Sequence, residues 1–277
     1  MKTPISYYGG KQMLASRIIK LIPAHNLYCE PFFGGGAVFF AKEPSKVEVI
    51  NDHDERVMNF YRVTKTHFEQ LKVLIDQTLC SRKLHDEAEF VLKNPILFSR
   101  LKQAWAFWVQ TNMSYGSCIF AGYGYARKKN SCEKKIMNKR NNFINDYQKR
   151  LECTQIECTD VLRVIASRDS ADSFFYCDPP YFNAVMGHYG GYTEKDFEEL
   201  LKALSQIKGK FLMSSYDSDI LKKYTKKFRW DVIKLEMNIC MSAGKKKIEV
   251  LTANYNLNKN EKENSRNTCE KDRKGQC

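Results

Sequence analysis

Residues 26–36 read NLYCEPFFGGG, and this stretch predicts how the first part of the chain folds. Leu27 to Glu30 are typical of a short β-strand, and the three glycines that follow allow the backbone to turn tightly. AVFFAKEP, at 37–44, then predicts the start of a short helix, and the β-branched alternation of KVEVIND, at 46–52, predicts a second strand. Strand, helix and strand in this order predict a mainly parallel sheet covered by helices.

The same alternation returns after residue 150, which predicts one α/β fold with a doubly wound sheet. Residues 172–177, DSFFYC, predict a strand, and Thr193 with Asp196 three positions later predicts a capped helix. Residues 54–75 predict one long amphipathic helix in the first part of the chain. The last two predicted strands, 230–239 and 246–257, are joined by a short turn, so we expect an antiparallel strand at the C-terminal end.

Composition restricts the partner and the compartment. The 277 residues carry a formal net charge of +13 with 43% hydrophobic residues, which predicts a sizeable core and a polyanionic partner. Nucleic acid is the first candidate and an anionic membrane surface the second. The sequence has neither an apolar run of membrane-spanning length nor a signal peptide, so we expect a cytoplasmic protein. Its ten cysteines are then expected to be thiols, and their spacing indicates no metal site.

The glycine loop and the strand after it predict a nucleotide-like ligand. Gly34, Gly35 and Gly36 follow a strand, as in loops whose backbone approaches a ligand closely, but they match neither the Walker A nor the GxGxxG spacing. Asp52 ends the next strand, where a doubly wound fold places an acid that binds ribose hydroxyls. Together these features favour an adenosine-containing ligand and leave NAD, FAD and S-adenosylmethionine open.

Residues 174–182, FFYCDPPYF, discriminate among these ligands. A strand cannot continue through Pro179 and Pro180, so the sheet must end at Asp178. A carboxylate and a rigid carbonyl, from Asp178 and Pro179, can each accept one N–H of an exocyclic amine and direct its lone pair at a methyl donor. Tyr181 offers a ring on which an extracted base can stack. This chemistry suits methylation of an amine and not hydride transfer.

At this point the sequence resembles the Dam-like, alpha-group DNA adenine-N6 methyltransferases. YYGGK at 7–11, EPFFGGG at 30–36, Asp52, DPPY at 178–181 and KIEVLTANY at 247–255 follow the order of that family's motifs over most of residues 1–256. The resemblance implies a Rossmann-like methyltransferase domain with S-adenosylmethionine as cofactor. The catalytic positions that it implies are Asp178, Pro179, Pro180 and Tyr181. The cofactor-binding positions that it implies are Tyr7, Lys11, Glu30, Phe32, Gly34, Gly35, Gly36, Asp52, Asp160 and Asp178.

Residues 80–150 are predicted to be a partly helical insertion, in the place where this family carries its DNA-recognition domain. Nine Lys or Arg residues and two acids lie between residues 122 and 150, which favours contact with phosphates. The candidate DNA-binding residues are Tyr123, Arg127, Lys128, Lys129, Lys139 and Arg140. The insertion does not reproduce the recognition segment of Dam itself, so a GATC site is not implied. The catalytic domain is then predicted at 1–79 and 151–256, with a disordered charged tail at 257–277.

The predicted function is site-specific transfer of a methyl group from S-adenosylmethionine to the N6 amine of a flipped adenine in double-stranded DNA. Cytosine-N4 methylation, RNA adenine methylation and an inactive DNA-binding relative remain alternatives. The resemblance also suggests a cognate restriction endonuclease that acts separately, a bacterial or phage origin and association with the nucleoid. We expect a monomer. Lys11 as a solvated lysine and Asp160 as a simple helix cap are the plainer readings of those two positions.

Overall fold

A computed structural model describes residues 1–128, 130–182, 191–238 and 246–260. Within these residues the strands are β1 Leu27–Glu30, β2 Val47–Asn51, β3 Thr154–Glu157, β4 Ser173–Cys177, β5 Lys210–Ser215, β6 Asp231–Asn238 and β7 Lys246–Ala253. They form one sheet in the order β3-β2-β1-β4-β5-β7-β6. The reversal of strand order about β1 and β4 is that of a doubly wound sheet.

The directions of the strands agree with the predicted fold class. β1 pairs with β4, and β4 with β5, in parallel. β7 pairs antiparallel with both β5 and β6, and its register with β6 runs from Asp231 opposite Ala253 to Asn238 opposite Lys246. The mainly parallel Rossmann-like sheet with an antiparallel C-terminal end is therefore confirmed.

Helices connect the strands and fill the segment between β2 and β3. The α-helices of the described residues are α1 Ala15–Leu21, α2 Ala37–Ala41, α3 Glu55–Thr66, α4 Phe68–Asp76, α5 Arg82–Lys93, α6 Arg100–Met113, α7 Ser131–Asn141, α8 Asp146–Leu151, α9 Val161–Arg168, α10 Glu194–Leu204 and α11 Asp219–Phe228. The capping box predicted for α10 is present, with the Thr193 hydroxyl and the Asp196 carboxylate each bonded to the other residue's backbone amide. Among the residues that the structure describes, no helix has the length and apolar character required to cross a bilayer.

The chain divides into two compact units. The first unit comprises Met1–Met13, Phe33–Pro44 and Ile50–Cys158, and the second comprises Leu14–Phe32, Ser45–Val49 and Thr159–Cys277. These units differ from the sequence-based division at residues 79/80 and 150/151, because the helices of 80–150 share one unit with the N-terminal segment.

Aromatic side chains dominate the core of the first unit. The fully buried ring of Phe60 lies 5.2 Å from that of Tyr61 and 6.2 Å from that of Phe143. Phe143 in turn stacks on Tyr147 at 5.7 Å, and Phe40 meets Tyr147 edge-on at 5.5 Å. These contacts join α2, α3 and α8, because large rings remove much apolar surface from water at each contact.

The core of the second unit follows from strand and helix periodicity. Phe175 and Cys177 alternate along β4, as Phe211 and Met213 do along β5, and all four are buried in one cluster. α10 covers this cluster with residues at helical spacing: Phe197, Leu200, Leu201 and Leu204.

Two local predictions differ from the structure. The helix predicted over 54–75 is two helices, α3 and α4, because His67 has φ −137° and ψ 42° and interrupts the helical backbone. The predicted tail begins at 257, but Leu257 is fully buried and its amide donates to the Asp231 carboxylate at 2.8 Å. Residues 257–260 have helical backbone, and 261–277 lie outside the described residues.

Candidate active site

The glycine loop of the first unit is a tight turn that only glycine can form without strain. Gly34 and Gly36 have φ values of +46° and +64°, in the left-handed region. The Phe33 amide donates to the Asn51 carbonyl at 2.9 Å, and the Gly36 amide donates to the Phe33 carbonyl at 2.7 Å. The loop is therefore fixed to the end of β2.

Tyr7 packs directly on this loop. A Cβ atom on Gly34 would lie 2.8 Å from Cε1 of Tyr7, and one on Gly35 would lie 3.0 Å from the Tyr7 Cβ. The hydroxyl of Tyr61 donates to the Gly34 carbonyl at 3.2 Å. The structure thus brings Tyr7, Gly34 and Gly35 together, as a loop with an aromatic ring on one side and no side chains of its own.

Asp52 completes this group. Its Oδ2 accepts the Gly34 amide at 2.8 Å, and its Oδ1 accepts the Asp54 amide at 2.9 Å. Burial raises the pKa of Asp52 to about 6, although the two backbone donors act in the opposite direction. Each carboxylate oxygen has a second lone pair, so the carboxylate can also accept hydroxyl groups of a ligand.

The other predicted cofactor residues have structural partners within the described residues. Lys11 is buried, and its Nζ donates to the Gly9 carbonyl at 3.2 Å. Glu30 is buried and accepts the Tyr28 hydroxyl, and burial raises the pKa of that phenol. Phe32 meets Tyr192 edge-on at 6.3 Å.

Asp160 caps a helix. Its Oδ1 accepts the amides of Leu162 and Arg163 at 2.9 and 3.1 Å, and the residue is exposed. The simple capping role that the sequence left open is therefore present at the start of α9.

In the second unit, Asp178 directly follows β4, as predicted. Asp178 is half-buried and Pro179 is buried, so the chain leaves the sheet through a rigid turn. The Tyr181 hydroxyl lies 3.4 Å from Oδ1 of Asp178 and is hydrogen-bonded to the buried Glu249. Burial, followed by the charges of Asp178 and Glu249, raises the pKa of Tyr181, so its hydroxyl stays protonated.

Three residues of this group were not found from the sequence. Glu249 accepts the Ser214 hydroxyl at 2.6 Å in addition to that of Tyr181, and the Tyr216 ring centroid lies 4.1 Å from that of Tyr181. The sequence signal for Glu249 was an acid among the apolar residues of the strand IEVL, and the structure leaves only 1% of its surface exposed. The sequence does not show which residues it meets, because Tyr181 and Ser214 lie elsewhere along the chain.

The predicted DNA-binding residues fall into two sets. Arg127 is exposed, and its guanidinium lies 5.9 Å from the ring centroid of Tyr125, an exposed residue outside the predicted set. The guanidinium of Arg82, a residue not predicted from the sequence, lies 5.6 Å from the same centroid and 5.1 Å from that of Tyr123. Lys128 is also exposed. Arg82, Tyr125, Arg127 and Lys128 form an exposed basic and aromatic cluster, whereas the predicted Tyr123 is half-buried and its hydroxyl bonds to Cys80 Sγ at 3.2 Å.

Two other candidates are engaged in holding the first unit together. Arg140 donates to the carbonyls of Asp76, the last residue of α4, and of Thr78 just after it, at 3.4 and 3.0 Å. Lys139 donates to the Thr3 carbonyl at 3.3 Å, and burial lowers its pKa to about 8. Lys129 lies outside the described residues.

The chain is similar to known proteins over most of its length. A family model described as "D12 class N6 adenine-specific DNA methyltransferase" matches residues 7–239. The type II methyltransferase M1.LlaDCHI of Lactococcus lactis subsp. cremoris is 26% identical over 89% of this chain and 93% of its own length. M.MjaIII of Methanocaldococcus jannaschii is 27% identical over 92% of this chain and 99% of its own. The DNA adenine methylase of Escherichia coli K12 is 22% identical over 91% and 94%.

Proposed function

Because the chain belongs to the D12 class of N6 adenine-specific DNA methyltransferases, we propose that S-adenosylmethionine is its methyl donor and that Asp178 holds the reacting amine. The family's reaction requires a methyl donor and a DNA substrate. The observation that carries the proposal is the position of Asp178, half-buried at the carboxyl end of β4 and followed by two prolines. Ligands of doubly wound sheets bind at the carboxyl ends of the strands.

The first unit offers groups that fit the adenosine part of S-adenosylmethionine. Gly34, Gly35 and Gly36 leave backbone without side chains for a close approach, and Tyr7 adds an aromatic ring beside them. Asp52 can accept two ribose hydroxyls on the lone pairs that its backbone donors leave. When bound, S-adenosylmethionine supplies a methyl group on a positively charged sulfur. Lys11, Glu30 and Phe32 stay proposed cofactor contacts, and Asp160 is the weaker candidate because it caps α9.

The second unit offers the groups for the adenine. Asp178 accepts one N–H of the exocyclic amine and the Pro179 carbonyl accepts the other, which turns the nitrogen lone pair out of conjugation with the ring. Pro179 and Pro180 hold these acceptors with little reorganisation, and Tyr181 stacks on the extruded base. Methylation makes the nitrogen acidic, and its proton leaves to Asp178 or to water.

Residues 80–150 are proposed to recognise the DNA target. The exposed cluster of Arg82, Tyr125, Arg127 and Lys128 supports this proposal, because guanidinium and ammonium groups neutralise phosphates and aromatic rings stack on bases. Lys139 and Arg140 are expected to contribute less, since both already bond to backbone carbonyls. Lys129 remains a candidate from its sequence position.

Two of the relatives are named type II methyltransferases. On that likeness, we propose that the chain modifies the recognition site of a restriction endonuclease that acts separately.

Sequencing of methylated bases tests the proposed function directly. The chain is expressed in a bacterium that lacks DNA methylation, and the control culture expresses Asp178→Ala. We expect N6-methyladenine at one short motif in the first culture and none in the second. Unmodified DNA from a culture that contains folded, cofactor-binding protein would contradict the proposal.

A further inference from the structure

A buried carboxylate lies against the Tyr181 hydroxyl on the side of β7. Glu249 has 1% of its surface exposed, and its Oε1 accepts hydroxyl donors from both Tyr181 and Ser214. The Tyr181 and Ser214 hydroxyls therefore converge on one oxygen of Glu249, which is the nearer acceptor for the Tyr181 hydroxyl.

A phenol hydroxyl has one proton, so it can donate to one acceptor at a time. The Tyr181 oxygen lies in close hydrogen-bond contact with Glu249, whereas Oδ1 of Asp178 is 3.4 Å away. The shorter of these two hydrogen bonds is the stronger one. The Tyr181 proton consequently points at Glu249 and away from Asp178.

The direction of this proton matters for Asp178. If the hydroxyl donated to Oδ1 of Asp178, it would occupy a lone pair and weaken that carboxylate as an acceptor for an amine. Rotation of the hydroxyl about its C–O bond is enough for this change, so the Tyr181 ring can stay packed against Tyr216 at 4.1 Å.

We propose that Glu249 is a positioning residue: it takes the Tyr181 hydroxyl proton and so prevents that hydroxyl from competing with the adenine amine for Asp178. This inference rests on the proposed role of Asp178 in holding the amine. It assigns Glu249 no contact with DNA or cofactor.

The test is a double-mutant cycle in which a second substitution restores part of the kcat that the first substitution removes. Glu249→Leu removes the acceptor, so the Tyr181 hydroxyl turns to Asp178, and we expect kcat to fall about 10- to 100-fold. Adding Tyr181→Phe removes the competing donor, and the double variant should regain at least about fivefold in kcat. A merely structural Glu249 would leave the double variant no better than Glu249→Leu, and that result would overturn the proposal.

Controls separate this outcome from other failures. Glu236→Leu makes the same substitution at an exposed acid of β6 and should leave kcat unchanged. The methyl-transfer assay uses a duplex that contains the motif found by sequencing. The fluorescence assay uses the same duplex with 2-aminopurine in place of the target adenine, because the fluorescence of 2-aminopurine reports base extrusion. We expect the fluorescence rise to persist in Glu249→Leu while methyl transfer to the adenine duplex slows. Wild-type chain that fails to methylate adenine would refute the proposed function, whereas active wild type with an equally active Glu249→Leu refutes only the inference.

If Glu249→Leu does not fold, a second pair of variants tests whether Glu249 acts through the Tyr181 hydroxyl. Glu249→Gln keeps an acceptor oxygen and nearly the same volume, so its cost in kcat should stay below about fivefold. In a Tyr181→Phe background, the same substitution should have no further effect, because no hydroxyl is left to direct. A loss above about tenfold that persists in that background would show that Glu249 acts by another route and overturn the proposal.

Discussion

Two aspartates at the ends of strands have different surroundings, and the difference indicates different tasks. Asp52 accepts two backbone amides, which fix its orientation. Asp178 lies beside the phenol of Tyr181, in a group that also contains Glu249. An acid held by two backbone amides suits steady binding of hydroxyl groups, and an acid followed by two prolines at the end of a strand suits the proposed binding of an amine.

The raised pKa of Asp52 predicts a pH dependence of cofactor binding. Because burial raises this pKa to about 6, the carboxylate becomes protonated as the pH falls through that value and loses an acceptor for ribose hydroxyls. We expect the affinity for S-adenosylmethionine to fall below pH 6, by up to about tenfold per pH unit. Calorimetric titration between pH 7.5 and 5 measures this. Asp52→Asn should bind more weakly at every pH and without that decline; an equal decline in the variant would assign it to another group.

Three glycine-to-alanine variants separate the cost of a positive φ from the cost of contact between the glycine loop and Tyr7. Gly122→Ala adds a methyl in open space and should change the free energy of unfolding by less than about 0.5 kcal/mol. Gly9→Ala adds only the cost of a φ of +72°, about 1–2 kcal/mol. Gly34→Ala adds contact with Tyr7 to a φ of +46°, and should cost about 2–5 kcal/mol. Equal unfolding midpoints for Gly9→Ala and Gly34→Ala in a denaturant titration would exclude the packing of Tyr7 on Gly34.

The sequence identified the site residues whose location follows from a single strand. Asp52 and Asp178 each end a strand, and the chain alone shows that. Glu249 is separated from Tyr181 by 68 residues, so their contact depends on the pairing of β5 with β7. No local pattern encodes such a contact.

Helices show where local propensity is overridden. The amphipathic period over 54–75 continues through His67, yet the backbone breaks there, and the Thr66 hydroxyl bonds to the His67 ring at 2.7 Å. The strands and the capping box of α10 were predictable because their signals are local. The break between α3 and α4 was not, because it depends on how each helix packs in the first unit.

The end of α4 provides a test of the role of α7. Arg140 bonds to two carbonyls at the C-terminal end of that helix, so Arg140→Ala should lower the free energy of unfolding by about 1–2 kcal/mol. Arg127→Ala, the matched change at an exposed arginine, should leave stability nearly unchanged. Thermal unfolding of both variants is the measurement. A stable Arg140→Ala protein with weakened DNA binding would instead place Arg140 at the DNA.

For the molecule as a whole, net charge is the property that the sequence predicts most directly. The net charge of +13 indicated a polyanionic partner, and membership of a DNA methyltransferase family agrees with that. The doubly wound, mainly parallel sheet was also predictable, because strand-helix alternation with right-handed connections leaves few topologies. The division into two units was not, because it depends on contacts of the N-terminal thirteen residues with the helices of 50–158.

The basic cluster predicts how DNA affinity responds to salt. If Arg127 neutralises a phosphate, Arg127→Ala should weaken binding to all sequences alike and reduce the slope of log K against log salt concentration by about 1. Fluorescence anisotropy with a motif-containing and a scrambled duplex, over a range of salt concentrations, measures both quantities. An unchanged slope would remove Arg127 from the DNA interface, and a loss confined to the motif duplex would make it a base-reading residue.

The central claim is that Asp178 accepts the amine of the target adenine. The most direct measurement is the single-turnover rate of methyl transfer from labelled S-adenosylmethionine to a motif duplex at saturating cofactor, for wild type, Asp178→Ala and the exposed control Asp219→Ala. We predict that Asp178→Ala folds and binds the duplex but transfers the methyl group at least about 100-fold more slowly, while Asp219→Ala matches wild type. Transfer by Asp178→Ala at the wild-type rate would contradict the account.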